Sequence, residues 1–148
     1  MAIKRIEGLR DTADFVEPIV FDGRVYFTTA ELGCRCHVCK GKGKLAPGFR
    51  EALLGLRLAW ARPMPLSSVC RCLAHNKAVG GMPGSYHIYE TEVGTCAFDN
   101  RIVDSAERAD FVELCLQLGW RVGVNKNFVH ADRAPDYYEN EKRILFLY

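Results

Sequence analysis

The chain has no apolar run near the roughly 20 residues that a membrane span requires, so membrane insertion is not expected. It also lacks a dominant charge: 20 Lys and Arg stand against 18 Asp and Glu, and the net charge of +2 is spread along the sequence. A polyanion is thereby disfavoured as the main partner, and no nucleic-acid role is expected. The one basic run, KGKGK, has no interleaved aromatics and reads as a solvated loop. Internal repeats, low-complexity segments and linker-like stretches are missing. Histidine is scarce, at four residues. The opening stretch, MAIKRIEGLRDTADF, has no apolar core of the signal-peptide kind, so synthesis in a cytoplasm is expected, with any release by lysis or inside a particle.

What is present bounds the rest. With 148 residues, 49% of them hydrophobic, the chain suits one domain with a proper core. Seven cysteines, an odd number, in a chain not expected to be exported read as thiols or metal ligands rather than disulfides.

The local patterns predict an α+β fold, a small and mainly antiparallel sheet with helices packed against it. PIVFDGRVYF (residues 18–27) flanks an Asp-Gly pair with β-branched and aromatic residues, which predicts a hairpin. Residues 46–62 set Phe49, Leu53, Leu56 and Trp60 on one helical face, ending before Pro63. MPLSSVCRC reads as a short strand and HNKAVGGMPGSYH as a glycine-rich loop. A second helix begins at Asp104 with Glu107 three residues on, brings Phe111, Leu114, Cys115 and Leu118 to one face, and ends at Gly119. WRVGV and NFVHAD alternate as two strands around a turn at residues 125–127, and RILFLY is a candidate last strand.

The stretch GGMPGSYHIYETEVGTCAFDN (residues 80–100) carries His87 and Asp99, and NFVHAD carries His130. Two histidines and a carboxylate make a zinc set that leaves a position open for water and suits amide hydrolysis. On spacing alone the alternative stands beside it, a hydrogen-bonded core histidine and a turn aspartate. Arg71 after a strand is equally an ordinary surface cation. CRCHVC, with Cys34, Cys36 and Cys39, and the later pair Cys70 and Cys72 offer soft thiolates that favour zinc. The five form a candidate structural zinc site tying the N-terminal segment to the strand of Arg71; reduced thiols are the alternative. Cys96 and Cys115 lie in apolar surroundings and read as core.

Several ordered motifs resemble those of a known family. FTTAELGCRCHVC, SSVCRCLAHN, VGGMPGSYH, the alanine and aspartate of CAFD, and FVHAD follow one another as in the M15 zinc peptidases that act on peptidoglycan. These share their fold with zinc D-Ala-D-Ala carboxypeptidases and the Hedgehog signalling domain. The resemblance covers residues 27–148, with 1–26 as an N-terminal strand segment. It implies His87, Asp99 and His130 as ligands of a catalytic zinc, Arg71 as the grip on a substrate carboxylate, and Ser85 as a positioning group. It implies a peptide of bacterial peptidoglycan as partner, acted on after lysis or from within a virion, together with other phage-particle components. Two departures stand out. Eleven residues, IYETEVGTCAF, separate His87 from Asp99, five more than the family usually has, and the five extra residues read as a loop insertion widening one wall of the site. The acid expected three residues before the last histidine is Asn127, so Asp132 becomes the candidate general base, with orientation of His130 as its other reading. An inactive structural or binding module on the same fold, such as a phage tail component, is the second function, and a cysteine-built nucleic-acid adaptor the third.

Overall fold

The computed structural model describes residues 4–148. A short helix α1 (Leu9–Thr12) leads into the hairpin β1 (Ile19–Phe21) and β2 (Arg24–Phe27), which turns at Asp22 and Gly23 where the Asp-Gly pair predicts it. Thr28 and Glu31 then close a reciprocal capping box on α2 (Thr29–Leu32). Helix α3 (Phe49–Trp60) buries the expected Phe49, Leu53, Leu56 and Trp60.

The main sheet has five strands in the order β3 (Leu66–Ser68), β4 (Ala97–Arg101), β6 (Phe128–Asp132), β5 (Arg121–Val124), β7 (Leu145–Leu147). Its first three pairings are antiparallel and the last, β5 with β7, is parallel. The fold is thus α+β with a mainly antiparallel sheet, as the patterns predict.

Two stretches differ from expectation. The first half of HNKAVGGMPGSYH is helical: α4 (Leu73–Ala78) starts where Cys72 Sγ accepts from the His75 amide at 3.3 Å. A thiol in the capping position is a weaker signal than the usual Ser, Thr or Asp. In α5 (Ser105–Gln117), Asp104 caps Glu107 N and Phe111 and Cys115 are buried, but Leu118 lies past the helix end and is exposed. A last short helix, α6 (Ala134–Tyr137), follows β6.

The sheet has two faces with different work. On one, Phe98 packs edge-on against Phe111 and Trp120, and Trp60 meets Phe111 at 5.0 Å between centroids, so α3 and α5 bury this face in an aromatic core. On the other face, one rung crosses all five strands: Ser68 opposite Asp99, Asp99 opposite His130, His130 opposite Gly123, Gly123 opposite Phe146. The next rung on that face holds Ala97, Asp132 and Arg121. Gly123 matters here because a Cβ would lie 2.4 Å from the Phe146 ring; its absence lets that ring pass over the strand and stand tilted beside His130, 5.8 Å between centroids. No helix among the described residues is long and apolar enough to cross a membrane.

Candidate metal centre and active site

The rung forms the floor of a cavity of about 770 Å³ lined by Ser68, Arg71, Ser85, His87, Asp99, His130 and Phe146 among others. His87, Asp99 and His130 are buried, and their ligand atoms lie within 4.8 Å of one another. His87 Nε2 and His130 Nδ1 each stand 3.1 Å from Asp99 Oδ1.

The far sides of the rings decide what those near sides carry. His87 Nδ1 is 2.7 Å from the Val69 carbonyl, which only accepts, so Nδ1 holds the proton and Nε2 a lone pair. His130 Nε2 is 2.7 Å from Asp132 Oδ2 and likewise donates, which leaves Nδ1 of the neutral ring as an acceptor. With both rings neutral, two ring lone pairs face one carboxylate oxygen, an arrangement that repels unless positive charge, a metal ion or a second proton on His130, lies between them. Histidine with its second nitrogen held by a carbonyl or carboxylate is the usual state of a metal ligand.

The electrostatics agree. Burial lowers the His87 pKa and keeps the ring neutral. Burial opposes ionisation of Asp99, yet the two histidines hold its carboxyl well below the usual range. For His130, burial opposes the imidazolium, but the hydrogen bonds to Asp132 and Asp99 outweigh it and raise the pKa, so this ring has a strong pull for a positive charge at Nδ1.

Arg71 reaches the same cavity. Its Nε donates to Ser68 Oγ at 2.9 Å, one terminal nitrogen to Asn76 Oδ1 at 3.2 Å and the other to Asp99 Oδ2 at 3.2 Å. Of five N–H donors these bonds use three and leave two. The backbone of Arg71 is tied to the first histidine, its amide donating to His87 O and its carbonyl accepting from Tyr89 N, both at 2.9 Å. Asn76 is itself pinned through Met82 O, and Gly81 passes so close that a Cβ there would meet Asn76 Oδ1 at 2.2 Å. Ser85 Oγ accepts from His87 N at 3.2 Å and so shapes the turn into that ligand.

Asp132 lies at the buried end of His130 and does not line the cavity. Its Oδ2 accepts from His130 Nε2 and from Arg121 at 2.7 Å, and its Oδ1 accepts from Ala134 N at 3.1 Å. The geometry is that of an orienting carboxylate. Asn127 sits in the turn before β6, its amide donating to Asn125 Oδ1. The cavity wall holds one further acid that the motifs did not single out, Glu141, which accepts from Tyr86 OH at 2.6 Å and pairs with Arg121 at 3.5 Å. It lies in the charged stretch YENEKR, where no periodicity marks one acid over another.

The residues between His87 and Asp99 do not widen the cavity. None of residues 88–98 lines it. Ile88, Tyr89 and residues 96–98 are buried in the core, and residues 90–92 turn to other parts of the chain: Lys44 Nζ donates to Thr91 O and Glu92 O, Glu92 N to Lys4 O, Ile6 N to Glu90 O, and buried Glu90 accepts from Leu73 N at 2.8 Å. The insertion is a strap joining the N-terminal residues to α4.

The cysteines divide differently from the expected five. Cys34, Cys36, Cys39 and Cys72 bring their sulfurs within 4.8 Å of one another, whereas Cys70 is outside that group. Cys70 packs its sulfur against Gly43, and burial pushes its thiol up to about 11. Cys96 and Cys115 are core residues.

No curated protein and no solved structure gives a match to the chain. The family model described as Peptidase M15 matches residues 25–132, a span that runs from within β2 to the end of β6 and holds His87, His130, Asp99, Arg71 and all four clustered cysteines. With most of the chain so matched, and a histidine–aspartate–histidine set of the kind such peptidases need on its cavity floor, the protein belongs to the Peptidase M15 family.

Proposed function

We propose that the protein is a zinc peptidase that hydrolyses an amide in the peptide stems or cross-links of bacterial peptidoglycan, acting after lysis or from within a virion. The observation that carries this reading is the convergence of His87 Nε2, Asp99 Oδ1 and His130 Nδ1, with tautomers fixed from behind, beside an arginine with two free N–H groups. Zinc held by these three residues supplies Lewis acidity toward an amide carbonyl and an ionisable water.

The chain's own groups supply the rest. Arg71 offers its two remaining N–H donors as a fork for a peptide carboxylate and so fixes the scissile amide relative to the floor. Asp132 keeps the proton of His130 on Nε2 and is a positioning residue. Glu141 is the cavity acid left to accept a proton once Asp99 is committed to the histidines, and Tyr86, whose pKa burial raises, remains a donor that holds it.

The test is digestion of purified peptidoglycan with and without a zinc chelator, followed by mass spectrometry of the released ends. Chelator-sensitive appearance of new amino and carboxyl termini is expected. A metal-loaded protein that is inert on walls of different cross-link chemistry overturns the hydrolytic reading in favour of a binding module, which Asn127 at the family's acid position would then explain.

A further inference from the structure

We propose that Cys34, Cys36, Cys39 and Cys72 hold a second, structural zinc ion through four thiolates, and that this ion fixes the wall of the cavity that carries Arg71. The proposal stands on the cysteine geometry and does not depend on the hydrolytic reading.

Distance comes first. With zinc–sulfur bonds of about 2.3 Å, the edges of a tetrahedron of sulfurs are roughly 3.8 Å long. Cys36 Sγ and Cys72 Sγ stand 3.8 Å apart, and all four sulfurs fall within 4.8 Å of one another. The sulfurs are free thiols rather than disulfide partners.

The surroundings are built for negative sulfur. Backbone N–H groups point at three of the four: Cys39 N at Cys36, Cys72 N at Cys34 and His75 N at Cys72, each at 3.3 Å. Tyr89 OH lies 3.1 Å from the fourth, Cys39, and the Arg10 guanidinium from α1 lies 3.7 Å from Cys36. Four thiolates around a dication carry two excess negative charges. Donors aimed at the sulfurs and an arginine alongside are what such a centre needs, whereas a cluster of neutral thiols in a core has no use for them. Cys34, Cys39 and Cys72 are buried and Cys36 is half-buried, which leaves an entry path for the ion.

The placement says what the ion does. Cys34, Cys36 and Cys39 come from the loop after α2, while Cys72 caps α4 and directly follows Arg71. The ion would tie the cysteine loop to the start of α4, beside Arg10 of α1, and add to the Cys70 N to Leu32 O bond that already joins these segments; Arg71, just before α4, and Asn76, within it, line or brace the cavity.

The test separates this centre from the one on the cavity floor. In a His87→Ala/Asp99→Ala variant the floor site is removed, so one zinc per chain is expected to remain, against two in the wild type. Loaded with cobalt instead, the same variant should keep a strong near-ultraviolet thiolate-to-metal charge-transfer band. Cys36→Ser should lose that band and Cys70→Ala should keep it. Because a cysteine variant can misfold, the folded wild type is also titrated with a thiol reagent: four of its seven cysteines should react only as zinc is released. A double variant free of zinc, a cobalt spectrum without the charge-transfer band, or reaction of all seven thiols without metal release would each overturn the proposal. Were the floor reading alone wrong, one zinc would be found in both proteins and the thiolate band would persist.

Discussion

At the scale of single residues, the proposed mechanism divides between Asp132 and Glu141 a role that the sequence assigns to one. From the motif, Asp132 is the acid nearest the last ligand. Its saturation is invisible there, because the groups that occupy it are Arg121, on the neighbouring strand, and the amide of Ala134. The convergence of His87, Asp99 and His130 was legible because ordered family motifs carry all three; the candidate base was not, since any carboxylate the fold delivers to the cavity can serve. Asp132→Asn is therefore expected to weaken metal affinity by about 10–100-fold, as removal of a carboxylate behind a ligand histidine usually does, while the fully loaded enzyme keeps most of its kcat. Glu141→Gln should leave zinc stoichiometry unchanged and lower kcat by about a hundredfold or more. Metal titrations and kinetics on the two variants check this, and the opposite pattern would make Asp132 the base.

At the scale of elements, the sheet separates stability from chemistry by its two faces. Phe111, from α5, is fully buried against the rings of Trp60 and Phe98, and Phe111→Ala is expected to cost about 3–5 kcal/mol, read as a fall in the denaturation midpoint with zinc stoichiometry of the folded protein preserved. Phe146, from β7, is only half-buried, stacks under Arg121 at 4.4 Å and stands 5.8 Å from the His130 ring. Phe146→Ala should barely move the midpoint and should raise KM or lower kcat. Helix α3 could be read in full from the sequence because its apolar spacing is long and regular. Helix α4 could not: it is six residues long, is capped by a cysteine, and borders glycines that read as loop. The course of residues 90–92 away from the cavity was also hidden, because it rests on partners at Lys4, Ile6, Lys44 and Leu73 that no local pattern announces.

At the scale of the whole molecule, metal binding and folding are expected to be linked, because ions held by side chains from distant parts of the chain bind the folded state more tightly than the unfolded one. Free zinc at about a hundred times the dissociation constant of a site adds about 2.7 kcal/mol of stability. Stripping with a strong chelator should therefore lower the melting temperature and zinc should restore it, as scanning calorimetry would check; equal melting with and without metal would deny the linkage. The contact between Asp99 and Arg71 reaches beyond stability. Asp99 turns Oδ1 to both imidazoles and Oδ2 to the Arg71 guanidinium. A negatively charged guest that draws the guanidinium toward itself withdraws positive charge from the back of that carboxylate, and more of its electron density is then available to whatever cation the imidazoles share. Occupancy at the mouth of the cavity is in this way transcribed into the ligand field at its floor, so that the colour of a cobalt-loaded protein would change when a carboxylate arrives, before any bond is cut.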